Sequence, residues 1–145
     1  MLVCNDIHKM EGLERLCIEG TNVILLEMPF TAWNEGLYET VLAVRDMGLS
    51  PVLAHIERYP LENVRLLLDS GIPAQINPGA MEGLLFSRPY KRELNAGRIV
   101  AIGSDLHGSS PKSARRFTRL IKRLGDRAPN VYNATAKLLE GAEAL

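Results

Sequence analysis

The chain has 145 residues, enough for one domain with a real core, and its 46% apolar and 23% charged content belongs to a globular rather than a disordered protein. Its formal net charge is zero, so bulk electrostatics draws it to no polyanion. The charge is uneven all the same: residues 1–50 hold three Lys/Arg against eight Asp/Glu and residues 51–145 hold fourteen against nine, so a phosphate-bearing ligand is drawn to the later part.

In chain order, the opening MLVCNDIHKM lacks the basic-then-apolar layout of a signal peptide, and no apolar stretch reaches membrane-spanning length. The first apolar run is Val23–Leu26. A helix over Asn34–Met47 follows, with Leu37, Val41 and Val44 on one face and Gly48 as its stop. The run Pro51–Ala54 precedes a helix over Glu62–Ser70, ended by Gly71. The run Ile72–Ile76 precedes a helix over Arg88–Ala96, ended by Gly97. After the fourth run, Ile99–Ile102, a helix over Ser110–Leu124 carries Phe117, Leu120, Ile121 and Leu124 on one face, with Ser110 as cap and Pro111 in its first turn. A last helix, about Asn133–Glu140, follows RAPNVYN.

The four apolar runs are short, poorly alternating and rich in Val, Ile and Leu, which suits strands covered on both faces. Strands that alternate with helices predict an α/β domain with a parallel sheet, and short crossovers make consecutive strands neighbours. Cys4 and Cys17 match no zinc spacing and no disulfide framework, so they read as free thiols of a reducing cytosol.

The strand ends carry the chemistry. The first run ends in Glu27, the second in His55, the third in Asn77, and the fourth in Ser104, Asp105 and His107. Ligands of parallel α/β folds bind outside the carboxyl ends of the strands, and carboxylate with imidazole suits Mn, Fe or Zn. Each residue also has a plain structural reading: Glu27 as a helix cap or arginine partner, His55 as a hydrogen-bonded core histidine, Asp105 and His107 as turn formers before Gly108. The joint pattern favours a metal-binding or catalytic rim.

Arg58, three residues after His55, can overhang that rim and take a phosphate or carboxylate, or else pair with Glu57 or Glu62. The stretch Lys112–Arg123 has six basic residues and no acid. Most of these form a solvated face, but Lys112, Arg115 and Arg116 fall in the first turns, where a helix already favours anions. Nucleic-acid binding is the other reading of this stretch, and zero net charge argues against it. Trp33, Tyr38 and Tyr59 either pack ordinarily or form a flat apolar wall suited to an aromatic ester.

The stretches LLEMPF, VLAHIERYP, QINPGAMEG and IVAIGSDLHG resemble the polymerase and histidinol phosphatase (PHP) superfamily. Within it they are similar to the manganese-dependent protein-tyrosine phosphatases of bacterial capsule and exopolysaccharide operons. The matching stretches lie in family order across nearly all of Asn22–Pro111, and LEMPF with AHIERYP is more specific than SDLH. The resemblance implies that Glu27 bridges two metals, His55 binds one, and Asp105 and His107 complete the metal sites. It implies Mn²⁺ as cofactor, with Fe, Co or Zn as alternatives, and Arg58 as phosphate ligand.

The family's second arginine falls near Lys112, with Arg115 and Arg116 one turn on. Lysine cannot make the bidentate fork, so which of the three serves stays open. Ile56 replaces a proline often seen in the family. The family's H-x-H motif, a further histidine and a glutamate belong upstream of Glu27, where this chain has 26 residues. His8 does not match them and reads as a surface histidine.

The resemblance therefore implies one partial domain, 1–145, forming the C-terminal portion of a distorted (β/α)7 barrel. Its open sheet edges favour self-association or cover by a terminal segment. The implied function is hydrolysis of phosphotyrosine on a cytoplasmic protein, with a bacterial tyrosine kinase as partner. The alternatives are another PHP phosphoesterase, of the histidinol phosphatase kind, or a non-catalytic remnant or binding module.

Overall fold

A computed structural model describes residues 1–81, 84–104 and 111–140. Its sheet has four parallel strands in the order β1-β2-β3-β4: β1 Val23–Leu26, β2 Ser50–Leu53, β3 Ala74–Ile76 and β4 Ile99–Ile102. Consecutive strands are neighbours, as short crossovers require. Val23 stands beside Ser50, Leu26 beside Leu53, Leu53 beside Ala74 and Ile76 beside Ile102.

Five helices alternate with or follow the strands: α1 Glu35–Asp46, α2 Leu61–Asp69, α3 Leu84–Asn95, α4 Pro111–Leu124 and α5 Arg127–Glu140. α1 begins where Asn34 Oδ1 accepts the Leu37 N–H at 3.0 Å and ends against Gly48, whose φ of +90° is the left-handed value that glycine takes without strain.

The larger differences from the sequence reading fall in three elements that contain or follow a proline. Pro73 leaves β3 to start at Ala74 rather than Ile72. Pro89 lies inside α3, which begins at Leu84 rather than Arg88, although its ring removes one ladder donor. Pro129 falls in the first turn of α5, where an N–H has no intrahelical acceptor. RAPNVYN is therefore the start of a helix, not the link before one.

The core follows the period of the elements. Ile24, Leu26, Leu53, Ala74, Ile76 and Ile99 are buried with Leu37, Val41 and Val44 of α1, Val64, Leu67 and Leu68 of α2, and Leu120 and Leu124 of α4. Val23 and Val52 form a second, smaller cluster, against which Val100 and Leu138 of α5 pack. The apolar face expected on α4 is only partly covered. Leu120 and Leu124 are buried, whereas Phe117 and Ile121 line an apolar cavity shared with Tyr132 and Leu139 of α5.

Both sheet edges meet a terminal segment. Residues 1–3 run parallel to the end of β1, with Val3 N–H donating to the Glu27 carbonyl and Glu27 N–H to the Met1 carbonyl, both at 2.6 Å. At the other edge Thr135 Oγ1 of α5 donates to the Val100 carbonyl of β4 at 2.5 Å. Backbone groups of Glu27 and Val100 are thus engaged within this chain. Cys4 and Cys17 are free thiols. No helix among the described residues is long and apolar enough to cross a membrane.

Candidate active site

Because the strands are parallel, the residues that follow them reach one rim. Glu27 follows β1 and His55 follows β2, and His55 Nε2 lies 3.3 Å from Glu27 Oε1. His55 adopts φ 38°, ψ 56°, a left-handed conformation uncommon for a non-glycine residue and often found where function constrains the backbone. It opens a 3-10 turn over Ile56–Arg58, anchored by fully buried Ile56 and closed by the Arg58 N–H on the His55 carbonyl at 3.1 Å. That turn brings Arg58 back over the rim, with Nη1 3.8 Å from Glu27 Oε1.

A polar network under the rim fixes this geometry. The His55 N–H donates to Gln75 Oε1 at 2.6 Å, Gln75 Nε2 donates to Asn77 Oδ1 at 2.5 Å, and the Asn77 N–H donates to Glu57 Oε2 at 3.1 Å. The two amides lie across Gly103, where a Cβ would collide with Gln75 Nε2 and Asn77 Oδ1, so any larger residue there would displace the network. Burial pushes the Glu57 carboxyl above its ordinary range. The Asn77 N–H and the nearby His55 and Arg58 oppose that rise.

The other face of the His55 ring is held by Tyr59, whose Oη lies 3.4 Å from Nδ1. Burial, reinforced by the Glu27 charge, pushes the Tyr59 hydroxyl up to about 12, so the phenol stays neutral at physiological pH. With the proton on Nε2 the imidazole donates to Glu27 and Nδ1 accepts from the Tyr59 hydroxyl; with it on Nδ1 the ring donates to that oxygen and frees the Nε2 lone pair, the tautomer that a metal-ligating imidazole needs. Tyr59 also belongs to a run of rings. Its centroid is 5.8 Å from Phe30 and 5.4 Å from Trp33, and Trp33 is 5.8 Å from Tyr38.

Arg58 also lines a cavity of about 210 Å³ with Arg116, Ser113, Ser104, Asn77 and Gly79, and with the carboxylate of Glu57. Two guanidinium groups, two hydroxyls and an amide are a donor set for an oxyanion. Of the three basic residues left open on α4, Arg116 lines this cavity. Lys112 and Arg115 are exposed and are not among the residues that line it. His8 sits half-buried in a short turn against α1, not among the groups gathered around Glu27 and His55. Asp105 and His107 lie outside the described residues.

Among the described residues no three His, Cys, Asp or Glu side chains form a cluster able to hold a metal; Glu27 and His55 are a pair. The pair fits a divalent ion in kind. It offers one carboxylate oxygen and one imidazole nitrogen, and their 3.3 Å separation is close to the roughly 3.4 Å kept by two ligands of one tetrahedral ion with bonds of about 2.1 Å. Sequence reasoning took Glu57 only as an ion-pair partner for Arg58 and passed over Phe30, Gln75, Gly103 and Ser113. Of these four, Phe30 had a signal, being three residues from Glu27.

The fold and rim define an α/β protein whose parallel sheet presents a carboxylate–imidazole pair and an arginine-lined anion cavity at the carboxyl ends of its strands. The chain belongs to the CpsB/CapC family of capsular polysaccharide synthesis, whose family model matches residues 3–138. It is similar in fold to a solved chain from the pair YwqE of Bacillus subtilis and CpsB of Streptococcus pneumoniae, described as unique metal-dependent tyrosine phosphatases. The TM-score is 0.67 at 23% identity, over 90% of this chain and 57% of that one. This chain thus spans little more than half the length of that relative.

Proposed function

We propose that the chain acts as a metal-dependent protein-tyrosine phosphatase in the control of capsular or exopolysaccharide synthesis. The observation that carries this reading is the Glu27–His55 pair, 3.3 Å apart, beside a cavity lined by Arg58 and Arg116. Membership in a capsule-synthesis family supports it.

Glu27 and His55 would hold the ion, and Asp105 and His107 would complete its ligand set. Mn²⁺ is the proposed metal, with Fe, Co and Zn as alternatives. When bound, a divalent ion supplies Lewis acidity at the phosphoryl group and makes water more acidic. Arg58 and Arg116 grip the phosphoryl oxygens by charge-assisted hydrogen bonds and hold the ester for in-line displacement, while Lys112 and Arg115 add attraction from the exposed face of α4. Tyr59 orients the imidazole, and the Gln75–Asn77–Glu57 network keeps the His55 backbone in place.

The proposed substrate is a cytoplasmic phosphotyrosine protein, a bacterial tyrosine kinase is its proposed partner, and the chain is proposed to self-associate. Hydrolysis of p-nitrophenyl phosphate and of a phosphotyrosine peptide, with and without Mn²⁺, tests it. Turnover should require the metal and fall about hundredfold or more in Arg58→Ala, as loss of an oxyanion ligand does elsewhere. Turnover that ignores both would end the reading.

A further inference from the structure

Phe30 is 71% exposed, although a phenylalanine turned to water loses its main contribution to folding. It is not a stray surface residue. Its ring stands 5.8 Å from Tyr59 at an interplanar angle of 42°, and Trp33 braces Tyr59 from 5.4 Å. Trp33 Nε1 donates to the Pro29 carbonyl at 3.0 Å, which ties the loop carrying Phe30 to the aromatic run. Tyr59 in turn lies 6.0 Å from the His55 ring, centroid to centroid. A continuous path of rings therefore leads from the candidate metal ligand to one braced, solvent-facing phenyl.

In an aryl phosphate the ring is one oxygen away from phosphorus. An ester held at the Glu27–His55–Arg58 rim must place that ring within a few ångströms of the phosphate. We propose that Phe30 is the platform on which the aromatic ring of the substrate stacks, so that it sets selectivity for aryl over alkyl phosphate esters. This rests on the phosphatase reading above and deepens it. Braced aromatic pairs prefer offset or tilted contact at centroid distances of about 4.5–7 Å, and Phe30 offers its open side for one more such contact.

The test uses the full chain with Mn²⁺ and two non-hydrolysable probes, phenylphosphonate and methylphosphonate. Binding is followed through the fluorescence of Trp33, the single tryptophan of the chain. The wild type should bind phenylphosphonate about tenfold more tightly than methylphosphonate, Phe30→Ala should bring the two near parity, and Phe30→Tyr should restore most of the difference. In turnover, Phe30→Ala should lower kcat/KM for a phosphotyrosine peptide by about fivefold or more and leave phosphoserine unchanged. A phenyl preference that survives Phe30→Ala, or equal binding of both probes by the wild type, overturns the platform and leaves the phosphatase reading standing. Binding of neither probe overturns that reading, and the platform with it.

Discussion

Glu27 and Glu93 are both carboxylates flanked by arginine, at opposite ends of the same parallel sheet. Glu93, near the end of α3, is 1% exposed and has both oxygens taken: Arg65 Nε on Oε1 at 3.2 Å and Arg98 Nη1 on Oε2 at 3.1 Å. Arg98, just before β4, also holds Asp69 at 2.6 Å, so the cluster ties α2, α3 and the start of β4 together. Glu27, at the carboxyl end of β1, has a side chain 35% exposed, with His55 and Arg58 at 3.3 and 3.8 Å from one oxygen. Buried, with an arginine on each oxygen, the first cluster is closed to a ligand. Open and loosely paired, the second can exchange its protein contacts for a metal or a phosphate at small cost. Barrels of βα units divide labour in the same sense, with stability at the amino ends of the strands and chemistry at the carboxyl ends.

The contrast breaks most readily at Glu93. Glu93→Ala leaves Arg65 and Arg98 without their buried partner and should cost about 3 kcal/mol or more in urea unfolding, while metal affinity per folded molecule stays the same. Glu27→Ala should do the reverse: a change in folding stability within about 1 kcal/mol, as for exposed ion pairs, and loss of Mn²⁺ affinity by at least about a hundredfold in a calorimetric titration. Comparable stability losses in the two variants would erase the distinction.

A finer test lies one shell out. Tyr59→Phe keeps the ring packing and removes only the oxygen at His55 Nδ1, so Mn²⁺ affinity should fall about tenfold with little change in Tm. An unchanged affinity would show that the imidazole needs no second partner.

The smallest effect concerns alkaline pH. The folded state raises the Tyr59 hydroxyl from 10 to about 12, so the stability tied to its neutral form is complete below pH 10 and is lost as pH rises towards 12. Metal-free Tyr59→Phe should therefore lose less stability than the wild type across that window. Parallel curves in urea unfolding at pH 9 and pH 11 would contradict the assignment.

Much of this was legible in the sequence, for identifiable reasons. Val23–Leu26 and Ile99–Ile102 read as strands because β-branched runs of that length have few other uses, and Glu27 and His55 read as rim residues because a parallel sheet delivers every strand end to one side. Proline misled where its meaning depends on position: in α5, Pro129 starts a helix, and only the turn at Gly125 and Asp126 before it says so. The choice among Lys112, Arg115 and Arg116 depended on helix phase relative to a cavity built by the segments after β2, β3 and β4, which no local pattern contains. Glu93 finds Arg65 28 residues away, and Gly103 lies under amides from Gln75 and Asn77. Such relations exist only after folding. Asp105 and His107 stand in SDLH, a less specific motif than LEMPF or AHIERYP, and their place in the site is a proposal.

The central claim, that the carboxyl-end rim is a metal site and the amino-end cluster is not, is tested most directly by Mn²⁺ titration, followed by electron paramagnetic resonance, of the wild type, His55→Ala, Asp105→Ala and Glu93→Gln. The account predicts saturable binding in the wild type and in folded Glu93→Gln, and its loss in His55→Ala and Asp105→Ala with their unfolding midpoints little changed. Undiminished Mn²⁺ binding in His55→Ala would contradict it.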